Sequence, residues 1–115
     1  MKEKPFCSHL VQSGRLGNNE WQVSKLITLS KDLPVMEIPL DHLNVYYVYK
    51  KLTLRELVGH IRAVLDADLS YPIILDEDGE IMDGRHRIMK AILEGAKTIK
   101  AVRFEENPVP CKIHE

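Results

Sequence analysis

The residues Ile81-Met82-Asp83-Gly84-Arg85-His86-Arg87-Ile88 constrain this chain more than any other stretch. Upstream, Ile73-Ile74-Leu75 reads as a short buried strand, Asp76-Glu77-Asp78-Gly79 as a turn, and Glu80-Ile81-Met82 as the returning arm of a hairpin. Downstream, a helix is predicted from about Gly84 to Glu94, with Ile88, Ala91 and Ile92 facing inward and Gly95 as its C-terminal stop. A strand therefore passes into a helix at once, with Asp83 positioned to cap. Helix N-termini carry unpaired N–H groups and the positive end of the dipole, so they attract anions. Gly84 removes a side chain that would block a phosphate. Arg85, His86 and Arg87 put up to three cations in one turn, where each opposes the dipole by about 0.3–1 kcal/mol unless an anion binds. Arginine offers a forked donor to phosphate oxygens, and histidine exchanges a proton near neutral pH. The plainer alternative pairs Asp83 with Arg87 one turn on and leaves Arg85 and His86 in solvent. Residue types alone leave both readings open.

The rest of the chain supplies a frame for this junction. Residues 1–20 read as an arm or loop because turn formers such as Ser13-Gly14 and Gly17-Asn18-Asn19 outnumber any periodic signal. From Trp21 to Leu29 the pattern looks strand-like, and Val35 to Leu40 forms a second short strand whose Pro39 suits an edge. Residues 44–49 are a strand or an aromatic loop, in which Tyr46, Tyr47 and Tyr49 have the chemistry to stack a base, although half-core, half-surface packing is the favoured account. Thr53 and Glu56 make a capping box, and Leu54, Leu57, Val58, Ile61 and Leu65 follow at helical spacing as a buried face. Gly59 within that helix is read as permitting close packing, and Leu69-Ser70-Tyr71-Pro72 stops it. Thr98 to Phe104 is the last strand, and residues 108–115 are a tail. The order is that of a single α+β domain over residues 21–107, with a mixed, short-stranded sheet and two main helices.

Composition trims the functions on offer. With 115 residues, 16 Lys+Arg and 17 Asp+Glu, the net charge of −1 excludes binding nucleic acid through overall positive charge. No apolar run approaches a membrane span, and Met1-Lys2-Glu3-Lys4-Pro5 lacks a signal peptide's apolar stretch, so no membrane partner and a cytoplasmic location are expected. Cys7-Ser8-His9 and Cys111-Lys112-Ile113-His114 could form a zinc site if the termini met, but the spacing is atypical and two unrelated thiols are the better reading. No metal site is expected from protein ligands. Asp76-Glu77-Asp78 is read as a solvated turn, and His42 and His60 as lone surface or satisfied histidines.

The stretch from Pro72 to Phe104, with its Asp-Gly-Arg-His-Arg junction and its helix ending Glu-Gly-Ala, resembles the ParB/sulfiredoxin superfamily. Val35 to Leu43 resembles the opening strand of those domains, and the likeness covers roughly residues 34 to 105. It implies a ParB/sulfiredoxin-like fold in which the loop from Asp83 to Arg87 holds the phosphates of a nucleotide, as partition proteins hold CTP, sulfiredoxins ATP and some archaeal serine kinases ADP. Gly84 and His86-Arg87 match the Gly-x-His-Arg of the sulfiredoxin and kinase branches, while Gly84 and Arg87 alone match the partition branch. Arg85 stands where sulfiredoxins carry their cysteine, which removes the thiol chemistry. Residues 44–49 hold no carboxylate where the kinases carry a glutamate base, so a kinase would draw on Asp41, Glu37 or Asp83. The helix-turn-helix half of a partition protein has no counterpart in this sequence.

Together these readings predict a domain that binds a nucleotide (ATP, ADP or CTP with Mg²⁺) or another phosphate-bearing ligand at Gly84, Arg85, His86 and Arg87. His86 and Asp83 would serve any phosphoryl transfer or nucleotide hydrolysis. The alternative is a non-enzymatic regulatory module, partition-related, that contacts nucleic acid or a DNA-bound protein. A ParB-like nuclease ranks last for want of clustered carboxylates, and a homodimer is compatible with the sequence.

Overall fold

The computed structural model describes residues 13–16, 19–43 and 51–113. The aromatic run 44–49, with Tyr46, Tyr47 and Tyr49, lies outside them, as do Cys7, His9 and His114. The element order is β1 (Ser13–Leu16), β2 (Asn19–Gln22), α1 (Val23–Ser30), β3 (Met36–Pro39), a 3-10 turn (Leu40–His42), α2 (Leu54–Asp66), β4 (Ile73–Leu75), β5 (Ile81–Asp83), α3 (Arg85–Leu93), β6 (Thr98–Arg103) and β7 (Lys112–Ile113).

Four strands form a mixed sheet in the order β3-β6-β4-β5, with β4 parallel to β6 and the other two pairings antiparallel. Alternation along these strands fills a core on each face, as a period of two requires. Ile73, Leu75, Ile81, Ile99 and Ala101 meet Ile88 and Ala91 of α3 on one side. Ile74, Met82, Val102 and Phe104 meet Trp21 and Leu26 on the other. This is the expected α+β arrangement with a mixed sheet, and it carries a third helix, α1.

The segment from Trp21 to Leu29 departs from expectation. The strand ends at Gln22, and residues 23–30 are helical because Val23, Leu26 and Ser30, at i, i+3 and i+7, bury one side of a helix. Apolar residues that satisfy both periods over so short a run cannot choose between strand and helix locally. Ser13–Leu16, expected in a loop, pairs with β2, and β7, expected in the tail, pairs with β2 from the other side. The Trp21 indole N–H donates to the Pro108 carbonyl at 2.9 Å, joining the same two ends of the described chain. Cys111 accepts from the Gln22 backbone N–H through its sulfur.

The capping box of α2 forms as expected. Thr53 Oγ1 accepts from the Glu56 N–H at 3.1 Å, and Glu56 Oε1 accepts from the Thr53 N–H at 2.9 Å. Its predicted buried face does not. Val64 is the buried residue of α2, whereas Leu54, Leu57, Val58, Ile61 and Leu65 are all exposed. A Cβ on Gly59 would meet nothing within 4 Å, so that glycine serves no close packing among the described residues. Ile92 of α3, also expected inside, is exposed, because Ile88 and Ala91 already take the face toward the sheet. Lys90 and His86 of α3 make polar contacts with α2 and its C-terminal end. Lys90 Nζ donates to the carbonyls of Leu65 and Ala67 at the end of α2, as a lysine does at a helix C-terminus, and His60 meets His86.

The hairpin β4–β5 and the end of α3 follow the sequence closely. Asp76 is buried and its Oδ1 accepts from the N–H groups of Asp78 and Glu80, so the turn is built on this carboxylate rather than merely solvated. Gly95 adopts a φ of 76°, and the Ala96 and Gly95 N–H groups donate to the Ala91 and Ile92 carbonyls, closing α3 in a Schellman motif.

Candidate functional site

Backbone geometry at the β5–α3 junction sets everything around it. Gly84 is the N-cap of α3, with φ 113° and ψ 18°, and no side chain caps the first turn. Asp83, expected to cap, does not. Its Oδ2 accepts from Arg87 at 2.7 Å in an i,i+4 ion pair in which both side chains are mostly buried. The second arm of the Arg87 fork donates to the carbonyls of Pro72 at 2.8 Å and Tyr71 at 3.3 Å. Arg87 thus ties α3 to the segment that enters β4, and both of its terminal nitrogens are used within the chain. Of the two readings open at the sequence level, Asp83 and Arg87 follow the ion pair.

Gly84 also has a different reason to be glycine than the one its sequence context suggests. An alanine Cβ there would stand 2.5 Å from Ile73 Cγ2 and 2.8 Å from Ile73 Cβ. The position needs both a left-handed backbone and the absence of a side chain against β4.

His86 is partnered as well. Its Nε2 lies 2.8 Å from His60 Nδ1, and the rings are tilted at 43°. At that distance one nitrogen donates and the other accepts, which two doubly protonated rings cannot do. Burial first, and then the neighbouring His60, push the His86 imidazole below its ordinary value of 6.5, against the opposing pull of Asp83. Below about pH 6.5 the unfolded chain takes up a proton that folded His86 resists, so stability falls on acidification and is regained as pH rises through that value. Urea denaturation of wild type and His86→Gln between pH 5.5 and 7.5 checks this. The difference between them is expected to shift in favour of wild type as pH increases, and a pH-independent difference would refute it.

Arg85 has no hydrogen-bond or ion-pair partner among the described residues. It lines an open cleft of about 840 Å³, within the range that small-molecule sites occupy. The cleft lies between α1, the C-terminal half of α2 and the β5–α3 junction. Asp83, Gly84, Arg85, His86 and Arg87 all border it, so the structure brings every predicted site residue to one cleft. Val23, Ile27, Leu33 and Val35 supply an apolar wall opposite, and Lys31 adds a second cation whose side chain has no partner among the described residues. Of the acids considered as a base, Asp83 borders the cleft and is tied to Arg87. Glu37 and Asp41 are not among its lining residues, and Glu37 accepts from Thr98 Oγ1 on the sheet edge.

Lys31, Asp68 and the His60 contact are additions that sequence reading missed. Asp68 borders the cleft and accepts from the Ser70 hydroxyl at 2.7 Å and N–H at 2.9 Å, which hold its carboxyl below the usual range. Its Asp-x-Ser pattern is a local turn signal that marks the hydrogen bonds, though not the cleft. Nothing local marks Lys31, or pairs residue 60 with residue 86. No group of three or more His, Cys, Asp or Glu side chains that could hold a metal occurs among the described residues. No helix among them is long and apolar enough to cross a membrane. Comparison with protein-family models, curated proteins and solved structures finds no match to this chain.

Proposed function

We propose that this protein binds a phosphate-bearing small molecule, a nucleotide foremost, in the cleft at the start of α3. The observation that carries the reading is an uncapped helix N-terminus, with the unpartnered Arg85 beside it, opening on a cleft of about 840 Å³. The first-turn N–H groups and Arg85 would take phosphate oxygens, and Lys31 would add charge from α1. The apolar wall from Val23 to Val35 suits a base or another flat apolar moiety. The resemblance to the ParB/sulfiredoxin superfamily supports the same location, with Arg87 acting as a brace for the loop rather than as a phosphate ligand.

The resemblance also implies Mg²⁺. Such an ion would be carried by phosphate oxygens and water, because the Asp83 carboxylate is paired with Arg87 and no cluster of metal-binding side chains occurs among the described residues. Bound so, it would neutralise phosphate charge. His86 would donate a hydrogen bond to a phosphate oxygen, and His60 would fix its ring.

If turnover occurs, phosphoryl transfer or nucleotide hydrolysis is the chemistry this site suits. A second reading, a regulatory module that holds its ligand without turnover, is favoured by a specific observation. Asp83 and His86, the residues that would act as acid or base, are already engaged with Arg87 and His60. Partition-related contact with nucleic acid belongs to this second reading.

Titration calorimetry of ATP, ADP, CTP and GTP with Mg²⁺ tests the proposal. At least one is expected to bind below millimolar concentration, and Arg85→Ala to weaken it about tenfold, the loss of one charge-assisted hydrogen bond. If none binds wild type in that range, or Arg85→Ala binds equally well, the proposed site is wrong. Phosphate release by the bound complex then separates enzyme from module, and titration with single-stranded and duplex DNA tests the nucleic-acid contact.

A further inference from the structure

The outer face of α2 is the largest conflict between this chain's sequence and its fold. Leu54, Leu57, Val58, Ile61 and Leu65 fall within an arc of about 100° on a helix of 3.6 residues per turn. Each is between 42% and 83% exposed. Such a stripe presents on the order of 500 Å² of largely apolar surface, a size that marks interaction sites on soluble proteins. The charges beside it identify what fits there. Arg55 and Asp66 are eleven residues apart, about three turns, and so lie on the same flank of the stripe at opposite ends. Both are exposed, and neither has a hydrogen-bond or ion-pair partner among the described residues.

We infer that α2 is the interface of a symmetric homodimer, in which two copies of the helix pack antiparallel across a two-fold axis near His60 and Ile61. In antiparallel packing the same flank of each helix meets its counterpart with the order reversed. Arg55 of one copy then faces Asp66 of the second copy, and the symmetry makes the pair twice. A parallel arrangement would put this flank of the two copies on opposite sides of the interface, so Arg55 and Asp66 would not meet. With the antiparallel axis near His60 and Ile61, Leu57 lies within about one residue's rise of the level of Leu65 in the second copy, and Ile61 within the same distance of its own counterpart, so the apolar stripe meets itself.

The dimer leaves the cleft open, because Ala63 and Ala67, which line it, lie on the opposite side of α2 from the stripe. Two ligand sites per dimer are therefore accessible, and dimerisation is separable from ligand binding.

Sedimentation equilibrium of the full 115-residue chain from 1 to 200 μM is the test. Wild type is expected to dimerise in that range, and Ile61→Glu to raise the dissociation constant at least tenfold. Arg55→Glu should weaken the dimer about threefold or more, and the double variant Arg55→Glu/Asp66→Lys should restore it. Far-UV circular dichroism confirms that each variant is folded, and the two exposed charge positions keep the test valid should Ile61→Glu disturb the helix. A wild type that stays monomeric at 200 μM, as it would if another segment or another protein covers the stripe, overturns the inference. So does a dimer indifferent to Ile61→Glu, or one that the reversed charge pair fails to restore.

Discussion

Replacing Gly84 by alanine is expected to destabilise the protein by about 3 kcal/mol or more, through two causes that act together. The backbone at φ 113° is one that an L side chain rarely adopts, a strain of about 1–3 kcal/mol. The new methyl would also overlap Ile73, whose Cγ2, Cβ and Cα lie at 2.5, 2.8 and 3.2 Å from its position. Ile73 is fully buried in the central sheet and cannot swing aside. Relief therefore requires α3 and β4 to separate, which would disturb the core contacts of Ile88 and Ala91. Urea denaturation of Gly84→Ala measures the loss. The companion variant Gly84→Ala/Ile73→Ala is expected not to recover it, because the close contacts to Cβ and Cα remain. A Gly84→Ala protein within about 1 kcal/mol of wild type would show that the junction is looser than this geometry requires.

That expectation also marks how far the sequence could be read. The hairpin, the capping box of Thr53 and Glu56, the Schellman end at Gly95 and the strand-to-helix passage at Gly84 all depend on residues a few positions apart. Local physics decides them, and the sequence declares them. The i,i+4 spacing of Asp83 and Arg87 was legible as one of two alternatives for the same reason. What the sequence withheld is long-range or ambiguous in period. Residues 23–30 carry apolar positions compatible with a strand, and the helix is selected by what Val23 and Leu26 bury against Trp21 and the sheet. The pairing of β7 with β2 joins residues more than ninety positions apart. His60 looked solitary because its partner lies 26 residues on. For α2, amphipathicity predicted a buried face that the described residues do not bury, and this is the conflict that the proposed dimer addresses.

Within the candidate site, the same distinction separates cations that bind a ligand from those that hold the loop. Arg85→Ala is expected to reduce ligand affinity with little effect on folding, since Arg85 has no partner among the described residues to lose. Arg87→Ala is expected to do the reverse in rank, costing about 2–4 kcal/mol of stability. The guanidinium bonds Asp83 Oδ2 at 2.7 Å and the Pro72 carbonyl at 2.8 Å, with side-chain exposures of 18% for Arg87 and 11% for Asp83. Removing it strands a mostly buried carboxylate and a partly buried carbonyl, and those penalties exceed what a solvated surface pair would contribute. Arg87→Lys should recover less than half of the loss, because an ammonium cannot span carboxylate and carbonyl with the geometry of a planar fork. Asp83→Asn/Arg87→Ala should be less damaging than the sum of the two single changes, since the stranded charge is then gone. Chemical denaturation of the four proteins measures all three comparisons. An Arg87→Ala protein as stable as wild type that had lost its ligand would reverse the assignment and return Arg87 to the phosphate.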